Sequence, residues 1–89
     1  MSVLLVTYDL NSPGQNHSKL LSAIKEYPWA MLSESSYAIK TVDSPTTIYN
    51  ILKSHIDKND SLYVITMKKP YCGYGHTDVN NWLEENLPY

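Results

Sequence analysis

LLVTYDLNSPGQN, residues 4–16, begins as an apolar, β-branched run, ends that run on the carboxylate of Asp9, and then turns polar. Residues 3–8 carry no charge and are continuously apolar apart from Thr7, which is the pattern of a central strand buried on both faces. Pro13 and Gly14 mark the following loop. Asn16 or Ser18 is then placed to cap a helix reaching to about Tyr27, with Leu20, Leu21 and Ile24 as its apolar stripe and Pro28 as its stop. Strand, loop and helix in this order make the first half of a βαβ unit, and the rest of the chain is read outward from it.

After Pro28 the periodicity changes from helical to alternating. Tyr37, Ile39 and Thr41 share one face and Ser36, Ala38 and Lys40 the other, which predicts a half-buried strand. Residues 29–33 predict its hairpin partner, with Glu34 and Ser35 in the turn. Ser44 followed by Pro45 is an N-cap and first-turn pair, and Ile48, Ile51, Leu52, His55 and Ile56 continue it as one apolar stripe. DKND, residues 57–60, closes that helix, and SLYVITM, residues 61–67, predicts a further strand. Beyond the loop KKPYCGYGH, Thr77 and Asp78 open a last helix with Val79, Trp82, Leu83 and Leu87 on one side.

The resulting expectation is one α+β domain: a ferredoxin-like β-α-β-β-α-β antiparallel sheet with an additional C-terminal helix. The first and third strands are central and two helices cover one face. The other face has at most the last helix to cover it, and in a small domain a second copy is the simplest way to bury the remainder.

Composition narrows the function classes. The net charge is −2 and every basic residue is a lysine, so the chain lacks both the basic footprint and the arginines of a dedicated nucleic-acid reader. A single cysteine, Cys72, forbids an internal disulfide and suits a reducing compartment. No apolar stretch has membrane-spanning length and the N-terminus has no basic leader, so a cytoplasmic protein with no membrane partner is expected. Phenylalanine is absent and 8 tyrosines supply most of the aromatic surface, leaving rings that pack while their hydroxyls reach a partner.

The candidate chemistry is sparse. Asp9 is read either as a turn carboxylate accepting N–H groups of the next loop or as a ligand at the rim of the sheet, with His17 close enough in sequence to approach it. Cys72 and His76 have the spacing of two zinc ligands but lack a second pair, and Gly73 and Gly75 lack the strand–helix setting of a phosphate loop. His55 falls on the apolar side of the second helix, as a core histidine. Lys68, Lys69, Tyr71 and Tyr74 form the one basic-aromatic cluster, which could follow a nucleic-acid backbone and stack a base.

LLVTYDL, the serine-aromatic strand SSYAIKT and the segment NDSLYVI together resemble the CRISPR-associated protein-two family and the virulence-associated VapD proteins. The opening YDLN-PGQ and the segment HID-ND-L-V are similar to small proteins of the SinR family. The resemblance runs to about Met67 for the first group and to the end for the second. It implies a homodimer in which the aspartate closing the first strand, here Asp9 preceded by Tyr8, is a Mg²⁺ ligand of an endonuclease acting on RNA or DNA. The family's strand serine corresponds to Ser36 or Ser35. Where nuclease members carry arginines this chain has NSPGQNHSK, and the strand that members exchange between subunits is replaced by the helix around Trp82. Two expectations follow: a non-catalytic dimeric module that binds protein or nucleic acid, and, as its alternative, a Mg²⁺-dependent endonuclease with Asp9 supplied by both subunits.

Overall fold

A computed structural model of the chain describes residues 1–11 and 15–89, with the side chains of residues 15 and 16 also outside the description. Its elements run β1 (Ser2–Asp9), α1 (Gln15–Ile24), β2 (Trp29–Ser33), β3 (Ser36–Thr41), α2 (Pro45–Leu52), a 3₁₀ turn (Lys53–His55), β4 (Ser61–Met67) and α3 (Thr77–Asn86). The strands form one four-stranded sheet in the order β2-β3-β1-β4, and every neighbouring pair is antiparallel. The architecture is α+β, and no described helix is long and apolar enough to cross a membrane.

Register determines what each face carries. Leu4 lies opposite Ile39, and Val6 opposite Tyr37, so these side chains share a face with Tyr8 and Leu62. Leu20 and Ile24 of α1 and Ile48 and Leu52 of α2 pack onto that face, all with no exposed surface. Burying each such aliphatic side chain contributes about 2 kcal/mol. Val3 and Ala38 point to the opposite face, where Leu83 and Leu87 cover them, with Met67, Val79 and Trp82 packed around. This second core explains why β3 is buried on both sides at Ala38 rather than half-solvated as its alternation suggests.

Local chemistry accounts for most boundaries. Ser44 caps α2, its Oγ accepting the Thr47 N–H at 3.2 Å, and Pro45 takes the first turn. The helix is shorter than its apolar pattern: Ser54 Oγ donates to the Ile51 carbonyl (3.1 Å) and the chain tightens into the 3₁₀ turn. Ile51 is exposed, not part of the stripe, while His55 and Ile56 are half-buried. α1 begins at Gln15, so Ser18 lies inside the helix and is not its cap. It ends at Ile24, and Lys25–Tyr27 form a turn closed by the Glu26 and Tyr27 N–H groups. The loop roles read for Pro13 and Gly14, and the capping role of the Asn16 side chain, lie outside the described residues.

Candidate functional site at the rim of the sheet

The end of β1 meets the β2–β3 turn and the start of α1. The Tyr8 N–H donates to the Ser35 carbonyl at 3.0 Å, which draws the turn against the strand. Because side chains alternate, Tyr8 points into the α1 side and Asp9 to the other. Between them lies a cavity of about 200 Å³ lined by Tyr8, Asp9, Leu10, His17, Glu34 and Ser35.

Tyr8 organises this corner. Its hydroxyl donates to the Glu34 carbonyl at 3.1 Å and lies 3.2 Å from His17 Nε2. A hydroxyl has one hydrogen, so with that hydrogen on Glu34 the His17 ring donates through Nε2–H to the Tyr8 oxygen. His17, which the sequence allowed to approach Asp9, is thus engaged by Tyr8 instead. Burial, reinforced by the nearby Tyr37 hydroxyl, pushes the Tyr8 pKa up to about 12. Tyr8 is therefore a neutral hydrogen-bonding post at physiological pH, unsuited to act as a base.

A pH dependence follows, and its sign is fixed. In the unfolded chain the phenol ionises near 10, whereas in the fold it stays protonated to about 12. Its stabilisation is complete below pH 10 and is lost as pH rises from 10 to 12, a loss of roughly 2 kcal/mol. Burial raises Tyr27 and Tyr37 in the same direction. Urea denaturation at pH 8 and pH 11 should show about half of this fall, and Tyr8→Phe should reduce it while costing about 1 kcal/mol at pH 8. An equal fall in Tyr8→Phe would assign the effect to other groups.

Asp9 is exposed at the strand end, opposite Ser61. Among the described residues its carboxylate makes no hydrogen bond or ion pair. The loop-organising carboxylate is Asp60: Oδ1 accepts the Asn11 N–H (2.8 Å) and Oδ2 the Asp57 N–H (2.7 Å), while the Asn11 side-chain amide donates to the Asn59 carbonyl. A Mg²⁺ ion takes oxygen ligands, commonly one or two carboxylates plus water. Among the described residues no three histidine, cysteine or acidic side chains converge around Asp9.

Ser36 and Thr7 face each other across β1 and β3 on the same side as Asp9, their hydroxyl oxygens 2.9 Å apart. Leu5, half-buried, and Tyr63 and Ile65, exposed by 63% and 50%, continue this side toward β4. α3 thus covers only the end of the face at Val3 and Ala38, and the half nearer Asp9 is open.

The basic-aromatic cluster divides. Lys69 Nζ donates to the Glu84 carbonyl (2.9 Å) and sits 3.4 Å from its carboxylate, and the Tyr71 hydroxyl donates to the same carboxylate at 3.1 Å. Both residues fasten the loop to α3, whereas Lys68 and Tyr74 project into solvent. Sequence reasoning missed Glu84 as their partner because the contact joins a loop to a helix face. A groove of about 640 Å³ lies beside this loop, with Leu32, Met67, Tyr71, Cys72, Tyr74 and Leu83 among its walls. His76 Nδ1 accepts the Asp78 N–H (3.2 Å) and caps α3, while Cys72 is exposed. A Cβ at Gly73 or Gly75 would meet nothing within 4 Å, so neither glycine serves a close backbone approach.

No protein-family model matches the chain, and no curated protein matches its sequence.

Proposed function

We propose that this chain is a homodimeric, non-catalytic interaction module of the cytoplasm, with a ferredoxin-like fold akin to the protein-two, VapD and SinR proteins it resembles. The observation that carries the reading is the open half of the sheet, where Leu5, Thr7, Ser36, Tyr63 and Ile65 form a surface of apolar and hydroxyl groups beside the α3-covered end. Such a surface in a small domain suits a partner that removes it from water. The strand order and the pairing of α1 and α2 on one face support the ferredoxin-like description. The absence of arginine, with Lys69 engaged by Glu84, favours a protein partner over nucleic acid.

A second reading, a Mg²⁺-dependent endonuclease of RNA or DNA, draws support from Asp9 alone, exposed and on the same side as the open surface. It requires a second copy to supply the other carboxylate. The test pairs sedimentation at micromolar concentration with incubation of structured RNA and duplex DNA, with and without Mg²⁺. The expected outcome is a dimer and no cleavage that Asp9→Asn removes. Cleavage lost in Asp9→Asn by about 100-fold or more would replace the module by the nuclease.

A further inference from the structure

The hydrogen bond from the Tyr8 N–H to the Ser35 carbonyl fixes which way each main-chain group in the sheet points. In an antiparallel ladder successive residues turn their N–H and C=O to opposite neighbours. Leu4, Val6 and Tyr8 therefore bond toward β3, and Val3, Leu5, Thr7 and Asp9 toward β4. Opposite the latter set, Ser61, Tyr63, Ile65 and Met67 are spent on β1. The N–H and C=O groups of Leu62, Val64 and Thr66 point out of the sheet, along an edge where no other strand of the described residues lies.

This edge lacks the usual guards. Ser61–Met67 contains no charge, proline or glycine. A cavity of about 320 Å³ lined by Pro45, Thr46, Tyr49, Leu62, Tyr63 and Val64 runs beside it, so space remains between α2 and the edge for incoming side chains. The other edge, β2, is shorter and its pairing shifts between Met31 and Ser33.

We infer that β4 is the subunit contact of the homodimer, pairing antiparallel with β4 of a second copy about a two-fold axis at Val64. This rests on the homodimer reading above and names its interface. The argument is self-complementarity. With the axis at Val64, Val64 meets its own copy and Leu62 meets Thr66, each pair exchanging both main-chain bonds. Tyr63 then lies against Ile65 of the other copy, and Ile65 against its Tyr63, in the positions where side chains approach closest. Both are exposed in the single chain, and aromatic–β-branched pairs are favourable cross-strand neighbours. One step further out Asp60, which keeps its negative charge while its oxygens accept the Asn11 and Asp57 N–H groups, lies opposite Lys68, so the ends of the strand are complementary in charge. Shifting the axis by one residue, to Tyr63 or Ile65, is the next register that joins outward groups; it leaves one outward residue of β4 without a β4 partner and loses both the tyrosine–isoleucine pairs and the charge match.

Three variants test this at concentrations up to about 100 micromolar, because a strand-edge contact is small against a standard interface. Val64→Cys, in a Cys72→Ser background, places two thiols across the axis at a Cα separation of about 5.5 Å, within disulfide reach. It is expected to yield a crosslinked dimer on mild oxidation. Val64→Pro removes an outward N–H that the fold does not use and should weaken the dimer by about 100-fold, with circular dichroism reporting the folded monomer. Lys68→Glu should raise the dimer dissociation constant about tenfold whether or not the proline variant folds. A wild-type dimer that neither crosslinks through Val64→Cys nor weakens in Lys68→Glu would overturn this interface and leave the homodimer standing. A wild-type monomer throughout the range would overturn both.

Discussion

Leu4→Ala is expected to lower unfolding stability by about 3 kcal/mol and the melting temperature by roughly 12–20 °C. Leu4 sits in the middle of β1, with Ile39 opposite it on one side and Thr66 on the other, and has no exposed surface. Its side chain belongs to the cluster that joins α1 through Leu20 and Ile24 to α2 through Ile48 and Leu52. Helices and strands on three sides leave little scope for collapse into the space, so the cavity cost adds to the lost burial. A domain of this length has only about 5–13 kcal/mol of total stability, so the substitution removes a large share. Ile51→Ala is the control: an aliphatic residue of α2 that lies outside this core, with a 43% exposed side chain and an expected cost within about 0.5 kcal/mol. Thermal melts and urea titrations of the two variants check the contrast. A shift in Leu4→Ala no larger than that in Ile51→Ala would mean that the main core does not lie on this face.

The same contrast shows where the sequence was readable. β1, the β2–β3 hairpin and the Ser44–Pro45 helix start are written in local signals: a run of β-branched residues, an alternation, a cap followed by a proline. The last helix was also readable from Val79, Trp82 and Leu83, because its apolar spacing is helical and its flanks are polar. The misreadings fall where a local pattern continues past the packing that would use it. Ile51 fits the stripe of α2 in number, yet the sheet beneath is reached only by Ile48 and Leu52.

At the candidate site the position of Asp9 was legible and its partners were not. A strand-end aspartate is ordinarily assigned the N–H groups just after it, but the Asn11 N–H is taken by Asp60, far along the chain. Sequence distance allowed His17 either to approach Asp9 or to stand exposed at the helix start; strand alternation sends Asp9 to one face and leaves Tyr8 on the side of α1, where His17 meets it. Lys69 and Tyr71 looked like a free basic-aromatic pair until the fold brought Glu84 across the loop. For Asn11 with Asp60 and for the loop pair with Glu84 the decisive partner is remote in sequence, so composition and spacing alone held no signal for it. The parity of β1 did hold one, since it separates Tyr8 from Asp9 before any coordinates are known.

Leu83→Asp should release α3 from the sheet while leaving the larger core assembled. α3 is a ten-residue helix, shorter than an isolated helix needs to persist in water. Its first turn carries Asp78, but Glu84 and Glu85 near its end oppose the helix dipole, and its own last turn has no basic residue; only Lys69, from the preceding loop, offsets Glu84. The helix therefore depends on its docked side: Leu83 and Leu87, buried against Val3 and Ala38. A carboxylate at position 83 would face apolar neighbours with no donor built to receive it, at a cost of several kcal/mol, so undocking is cheaper than burial. Because Leu20, Ile24, Ile48 and Leu52 pack on the opposite face, that core survives the loss. The expected signature is partial: reduced helical circular dichroism, rapid proteolysis within residues 68–76, and binding of an apolar dye to the newly bared Val3, Ala38 and Met67. Glu84→Gln separates docking from the surface clasp. It weakens the exposed contact with Lys69 but leaves the apolar side intact, and should change stability by no more than about 1 kcal/mol. If Leu83→Asp melts as the wild type does and resists protease equally, α3 does not depend on this contact. If instead it unfolds the whole chain, the two faces of the sheet form one cooperative unit, and α3 is part of the fold's minimum rather than a cover added to it.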